Sequence, residues 1–243
     1  MNTIKHFLKH LYQRMSSLST PNAIIVAALL LSFSHVAYGF VISENNQSAT
    51  AAMFKGKALD TNDLVTGNPK SDVIVLEYSD TECPYCAQLH PTLKKIQDEY
   101  TSKVSFVYRH FPLTQIHPNA FDEARAIFCV GKTSGATKQR DYINQMFSYK
   151  LEKKNMTLPQ GGKESLAKNI GVDGAALTAC LSTPESNDVV NASIEDGVKA
   201  GVEGTPATFV LLKKRNGYEV VALIDGARPY EYFKTVIDEA LAR

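Results

Sequence analysis

The sequence has almost no surplus of charge: 26 lysines and arginines stand against 25 aspartates and glutamates, a formal net charge of +1. No overall field therefore draws the chain to nucleic acid, and none is expected among its partners. Internal repeats and low-complexity tracts are also absent. With 44% hydrophobic residues over 243 positions, the chain can bury one sizeable core, which excludes a disordered polymer and predicts one main globular domain. A phosphate-binding loop is missing too, because Gly131-Lys132-Thr133 has Ala126 where the motif needs its upstream glycine. Cysteine is sparse. Of the four, Cys83, Cys86, Cys129 and Cys180, only the first two are spaced as Cys-X-X-Cys.

Acidic side chains are absent before Glu44, while Lys5, Lys9 and Arg14 precede an apolar segment over 23–42. This is a positive-inside pattern ahead of a stretch about long enough to cross a hydrocarbon core. Residues 1–22 are expected in the cytoplasm, and 23–42 as a transmembrane anchor or as a signal peptide, since Ala37-Tyr38-Gly39 resembles a small-residue cleavage site. Either reading exports the chain beyond residue 42. Residues 43–70, mostly small and polar, are expected to form a linker with one short edge strand near Phe54, and the folded domain, 71–243, to begin at Ser71.

Within that domain, 73–78 is an apolar, β-branched run expected as a strand buried on both faces. Leu89, Leu93, Ile96 and Tyr100 then share one helical face, and Pro91 is expected to kink that helix. A second strand over 104–108 completes a βαβ unit. From about 119 to 201 the pattern is helical, with candidates at 121–130, 141–149, 164–170 and 174–181 and no convincing strand, so an inserted helical subdomain is expected. Strands over 207–212 and 218–223 flank Asn216-Gly217, a hairpin signal. A last helix, 229–241, places Phe233, Val236, Ile237 and Leu241 on one side.

Cys83-Pro84-Tyr85-Cys86 falls where the first strand gives way to the first helix. Unpaired backbone N–H groups and the helix dipole favour a thiolate there, and the thiolate is the species that attacks and leaves in disulfide exchange. Cys83 is thus the candidate exchanging sulfur and Cys86 the candidate resolving sulfur. Pro84 suits the first helical turn, where its missing N–H costs nothing. An inert disulfide or half a zinc site is the alternative. Zinc normally takes a second ligand pair, and neither Cys129 nor Cys180 belongs to a Cys-X-X-Cys, although His90, His110 and His117 leave that option formally open.

The runs Glu77-Tyr78-Ser79-Asp80-Thr81-Glu82-Cys83-Pro84-Tyr85-Cys86, Tyr108-Arg109-His110-Phe111-Pro112-Leu113, His117-Pro118-Asn119-Ala120 and Gly204-Thr205-Pro206-Ala207-Thr208-Phe209-Val210 resemble the DsbA-like branch of the thioredoxin superfamily. The resemblance covers about 71–241 and implies an α/β thioredoxin fold, βαβ plus ββα, with a helical insert at about 119–201. It implies that Pro206 is a cis-proline facing the cysteine pair, with the Thr205 backbone before it free to pair with a substrate chain. It implies that Glu77 is the buried acid beneath the site, able to relay a proton to or from Cys86; a salt-bridged structural glutamate is the alternative. For His117-Pro118-Asn119 only a capping or packing role is expected. Some relatives carry a second, non-catalytic disulfide in the insert, so Cys129 and Cys180 are either a structural disulfide or two buried free thiols.

The function expected is that of an exported thiol-disulfide oxidoreductase. Most directly it is a dithiol oxidase whose substrates are exported proteins with thiols or disulfides, and whose cysteine pair is reset by a membrane redox partner. No cofactor beyond the cysteine pair is expected. Isomerase or reductase activity differs only in how strongly the Cys83 thiolate is stabilised, and Tyr85 brings no cation to the motif. The short linker before Ser71 holds no separate dimerisation domain, which favours the oxidase. A metal-binding, non-catalytic chaperone of the same fold is the rival of a different class.

Overall fold

The computed structural model describes residues 52–60, 63 and 65–243. The expected cytoplasmic segment 1–22, the anchor or signal segment 23–42 and the first part of the expected linker lie outside the described residues. Among the described residues no helix is long and apolar enough to cross a membrane.

The described elements run β1 (Thr66–Gly67), β2 (Val73–Ser79), α1 (Pro84–Tyr100), β3 (Ser105–His110), α2 (Ala120–Lys153), α3 (Gly162–Asn169), α4 (Gly174–Leu181), α5 (Pro184–Ala200), β4 (Ala207–Lys214), β5 (Gly217–Asp225) and α6 (Tyr230–Leu241). The strands form one sheet ordered β1-β3-β2-β4-β5. β2 and β3 are parallel, as a helical crossover requires, and the other pairs are antiparallel. Every residue of β2 is buried, as its unbroken apolar run implies. Its side chains alternate between the faces. Val73 and Val75 pack with Leu89, Leu93 and Ile96 of α1 and Phe233 and Ile237 of α6, while Ile74, Leu76 and Tyr78 pack on the other side with Phe111, Val202 and Phe209. A third cluster fills the helical subdomain and reaches Cys83 and Cys86.

Three expectations need correction. The edge pairing expected near Phe54 is present, but the described residues from Met53 onward do not otherwise hang free as a linker. Met53 bridges to Glu219, Phe54 stacks edge-on against Phe209 at 5.1 Å, and Thr66–Gly67 pairs with β3. Buried charge holds this arm. Arg109, 5% exposed, donates to Asp63 Oδ1 at 2.8 Å, to the Lys57 carbonyl at 3.0 Å and to Asp196 Oδ2 at 2.7 Å, and Asp196 also accepts from the Lys57 N–H and the Tyr78 hydroxyl. The hairpin turns one residue early, on Arg215 and Asn216, because Gly217, at φ 132°, already pairs with Lys214. On α6 the inward side is Phe233, Ile237 and Ala240, and Leu241 is partly exposed.

Between β3 and β4 the chain is helical, without a strand among the described residues. The two candidates 121–130 and 141–149 lie on one long helix, α2, interrupted at Gly135, whose φ of 85° and ψ of 170° break the helical path. Helix α5 has no counterpart among the candidates. Its inward residues are Ser186, Val190, Asp196 and Gly197, so it has little apolar stripe to read. Gly197 lets it lie against the sheet, since a Cβ there would come within 2.5 Å of the Phe111 ring.

Candidate active site

Cys83 caps α1 in an extended conformation (φ −74°, ψ 121°) and Pro84 occupies the first turn. The backbone N–H groups of the opening turn therefore converge on the Cys83 sulfur rather than on a side-chain cap. Cys86 lies one turn deeper, fully buried. Both are free thiols, Cys83 is nearly buried, and Tyr85 beside them is exposed. The Cys83 thiol is pulled down to about 6, first by the Cys86 thiol and then by the N–H groups of Cys86 and Tyr85, with a contribution from Thr205; burial opposes this. Cys86 moves the other way. Burial pushes its thiol well up, and the neighbouring Cys83 and Glu77 charges add to that. One sulfur is set up to attack and leave as thiolate, and the other to hold its proton.

Facing Cys83 is the loop that starts β4. The Thr205–Pro206 bond is cis, and the Cys83 thiol donates to the Thr205 carbonyl oxygen at 3.3 Å. Beside it runs an open groove of about 440 Å³ lined by Glu203, Gly204, Thr205, Pro206, Leu223 and Asp225. The groove runs between the loop that opens β4 and the end of β5.

Glu77 lies in the middle of β2, level with Tyr108 on β3 and Thr208 on β4. Among the described residues it makes no ion pair. Burial raises its carboxyl to about 7, with Ser79 pulling weakly back. The Tyr108 and Thr208 hydroxyls take no partner among the described residues, and Glu77, His90, Tyr108, Gln139 and Asn144 line a cavity of about 40 Å³. Among the described residues no cation stands beside Glu77, so nothing there matches the salt-bridged alternative. Burying a carboxyl with no cation beside it costs stability and favours its protonated form.

Cys129 and Cys180 are bonded to each other rather than to this pair. They form a disulfide between α2 and α4, with Cα atoms 5.7 Å apart. Among the described residues no group of three or more His, Cys, Asp or Glu side chains is arranged to hold a metal ion.

Several residues that reasoning from sequence leaves without chemistry surround the loop before Cys83. Asp80 Oδ2 accepts from the Leu113 N–H at 2.7 Å and meets His117 Nδ1 at 2.8 Å. Glu82, adjacent to Cys83, accepts from the Asn119 N–H at 2.7 Å, the Asn119 side-chain amide at 2.9 Å and the Thr157 hydroxyl at 3.1 Å. Asn119 stands at the N-cap position of α2, yet its side chain serves Glu82 rather than the helix. The only signal is the His117-Pro118-Asn119 run itself, whose partners lie about forty residues upstream and so leave no local pattern.

A βαβ unit and a ββα unit sharing one sheet, with a Cys-X-X-Cys at a helix start and a cis-proline opposite, define a thioredoxin-fold protein with a dithiol site. Residues 59–239 match the family model described as Thioredoxin, and the chain belongs to that family. It is 28% identical over 162 residues to a Na(+)/H(+) antiporter, NhaA 3 of Salinispora tropica, a match that takes in 66% of this chain and 24% of the antiporter. It is 29% identical over 192 residues to RC0029 of Rickettsia conorii, named a putative protein-disulfide oxidoreductase, covering 75% of this chain and 62% of that one. The chain thus spans about a quarter of the antiporter it matches. Among solved structures, the thiol-disulfide exchange protein α-DsbA2 of Wolbachia pipientis superposes with a TM-score of 0.62 at 19% identity, over 74% of this chain and 88% of its own, so the fold is DsbA-like.

Proposed function

We propose that this protein is an exported thiol-disulfide oxidoreductase that works as a dithiol oxidase. The observation that carries the reading is the placement of Cys83, at the N-terminus of α1, beneath the Thr205 carbonyl and one turn from a buried Cys86. The name of the Rickettsia relative and the description of α-DsbA2 support exchange chemistry. The basic residues Lys5, Lys9 and Arg14 ahead of the apolar 23–42 support export, with the domain either anchored at the membrane or released after cleavage.

In the oxidised enzyme a substrate thiolate attacks Cys83 Sγ. The Cys83–Cys86 bond breaks, a mixed disulfide forms, and the electron pair leaves on Cys86. That sulfur, held well above the ordinary thiol range, takes up a proton, which Glu77 can supply from the polar cavity below. A second substrate thiolate then attacks the substrate sulfur of the mixed disulfide, and Cys83 leaves as the thiolate its helix end favours. The substrate gains one disulfide and the enzyme holds two electrons, which a membrane redox partner removes. A stabilised thiolate stabilises the reduced enzyme, and this favours oxidase over reductase.

The test is the reduction potential of the Cys83–Cys86 couple, equilibrated against glutathione. A value above about −180 mV supports the oxidase, and one near about −270 mV, in the range of reducing thioredoxins, overturns it.

A further inference from the structure

The loop that presents Cys83 is gripped from the helical subdomain by a buried lysine. Lys150 is 0% exposed on α2, on the face that carries Ile143, Met146 and Phe147 into the core. Its ammonium donates to the Thr81 carbonyl at 3.0 Å and to Glu123 Oε2 at 2.5 Å, and the Thr81 hydroxyl donates to the same Glu123 oxygen. The loop thus hangs on a side chain from each half of α2. A buried lysine of this kind gives little net stability over an apolar residue of equal size, so packing alone does not account for it.

Its charge does. Asp80, Glu82 and Glu123 are all buried around residues 80–83, and His117, on Asp80, is the other basic side chain bonded to this group. Carboxylates packed behind Cys83 oppose a thiolate on it, and a cation among them offsets that opposition. The Lys150 ammonium acts electrostatically on Glu82 and Asp80 as well as on Glu123.

We propose that Lys150 is a positioning residue for disulfide exchange. Its ammonium fixes the Thr81 carbonyl and counters the Asp80, Glu82 and Glu123 carboxylates, thereby setting how much of Cys83 stands as thiolate. The proposal rests on Cys83 being the exchanging sulfur.

Lys150→Met, Lys150→Arg and Glu123→Gln in the full-length protein test it, each read by the pH titration of the Cys83 thiolate absorbance and by equilibration with glutathione. Lys150→Met is expected to move the thiolate midpoint up by about one pH unit. Its couple becomes roughly tenfold easier to oxidise, about 30 mV more reducing. Glu123→Gln, which keeps the hydrogen bonds but removes a carboxylate, is expected to move both the opposite way, and Lys150→Arg to stay near wild type. A merely structural role shifts both neutral variants in one direction. That result, or no shift in variants with native circular dichroism, overturns the proposal. Should Lys150→Met fail to fold, Glu123→Gln alone decides, with a lowered midpoint in support and an unmoved one against. A wild type that titrates at Cys83 but exchanges no disulfide would sink the oxidase and leave the titration readable.

Discussion

The Cys83 sulfur lies 3.3 Å from the carbonyl oxygen of Thr205, a residue 122 positions further along the chain. The contact joins the start of α1 to the start of β4, and so brings the helix end that favours a thiolate against the cis-proline loop.

Cys83 should react with a thiol reagent as a thiolate of pKa about 6, while Cys86, buried and pushed up, stays silent in the native protein. Alkylation rate against pH, monitored by mass spectrometry of Cys83 peptides, should rise with a midpoint near 6. Stability carries the same sign. A folded-state pKa below the ordinary thiol value makes the reduced protein more stable as pH rises from about 6 to about 9, and this is lost as pH falls through 6. The oxidised protein has no such thiol, so the difference between the two forms in urea should grow over that window.

Glu77→Gln should stabilise the protein and slow it. The raised carboxyl makes its contribution run the other way from Cys83: it is harmless below its ordinary value of 4.5 and costs stability as pH rises through about 7. The full cost is of order 3 kcal/mol at alkaline pH. Urea titrations should therefore show variant and wild type alike at pH 4 and the variant more stable at pH 8. Release of Cys86 as the mixed disulfide forms on Cys83 should be slower and lose its inflection near 7. Equal stability at both pH values would contradict a buried, unpaired carboxyl.

Arg109→Ala should detach the arm that leads into β1. The substitution leaves Asp63 and Asp196 buried without their partner, which costs about 3–5 kcal/mol. Hydrogen exchange of residues 52–67 should accelerate far more than that of α1, and chemical denaturation should report the loss.

Removing the second disulfide, Cys129→Ala with Cys180→Ala, should cost about 2–4 kcal/mol, since the bond closes a loop with a sequence separation of 51. Exchange through Cys83 should persist in the folded variant. Loss of exchange under conditions where the variant is folded would give this pair a part in the chemistry.

Much of this is legible where the determinants are local. The apolar run of β2, the four-residue face of α1, the Cys-Pro-Tyr-Cys at its start and the two strands of the hairpin are set by neighbouring residues, and Gly204-Thr205-Pro206 carries the cis-proline through its resemblance. What escapes depends on partners far apart. Asp63, Arg109 and Asp196 form a buried network only after folding, so the arm reads as a polar linker. Helix α5 buries serine, aspartate and glycine rather than a hydrophobic stripe. Lys150 is visible as a charge on the face of Ile143, Met146 and Phe147, but its use depends on Thr81, 69 residues upstream.

The central claim is that a single sulfur carries the exchange, and trapping tests it most directly. In Cys86→Ser the resolving thiol is gone, so a reduced protein substrate offered with a mild oxidant should accumulate as a mixed disulfide that mass spectrometry places on Cys83. Cys83→Ser should form no such species and have no dithiol oxidase activity. An adduct on Cys129 or Cys180, or oxidase activity retained without Cys83, would contradict the account.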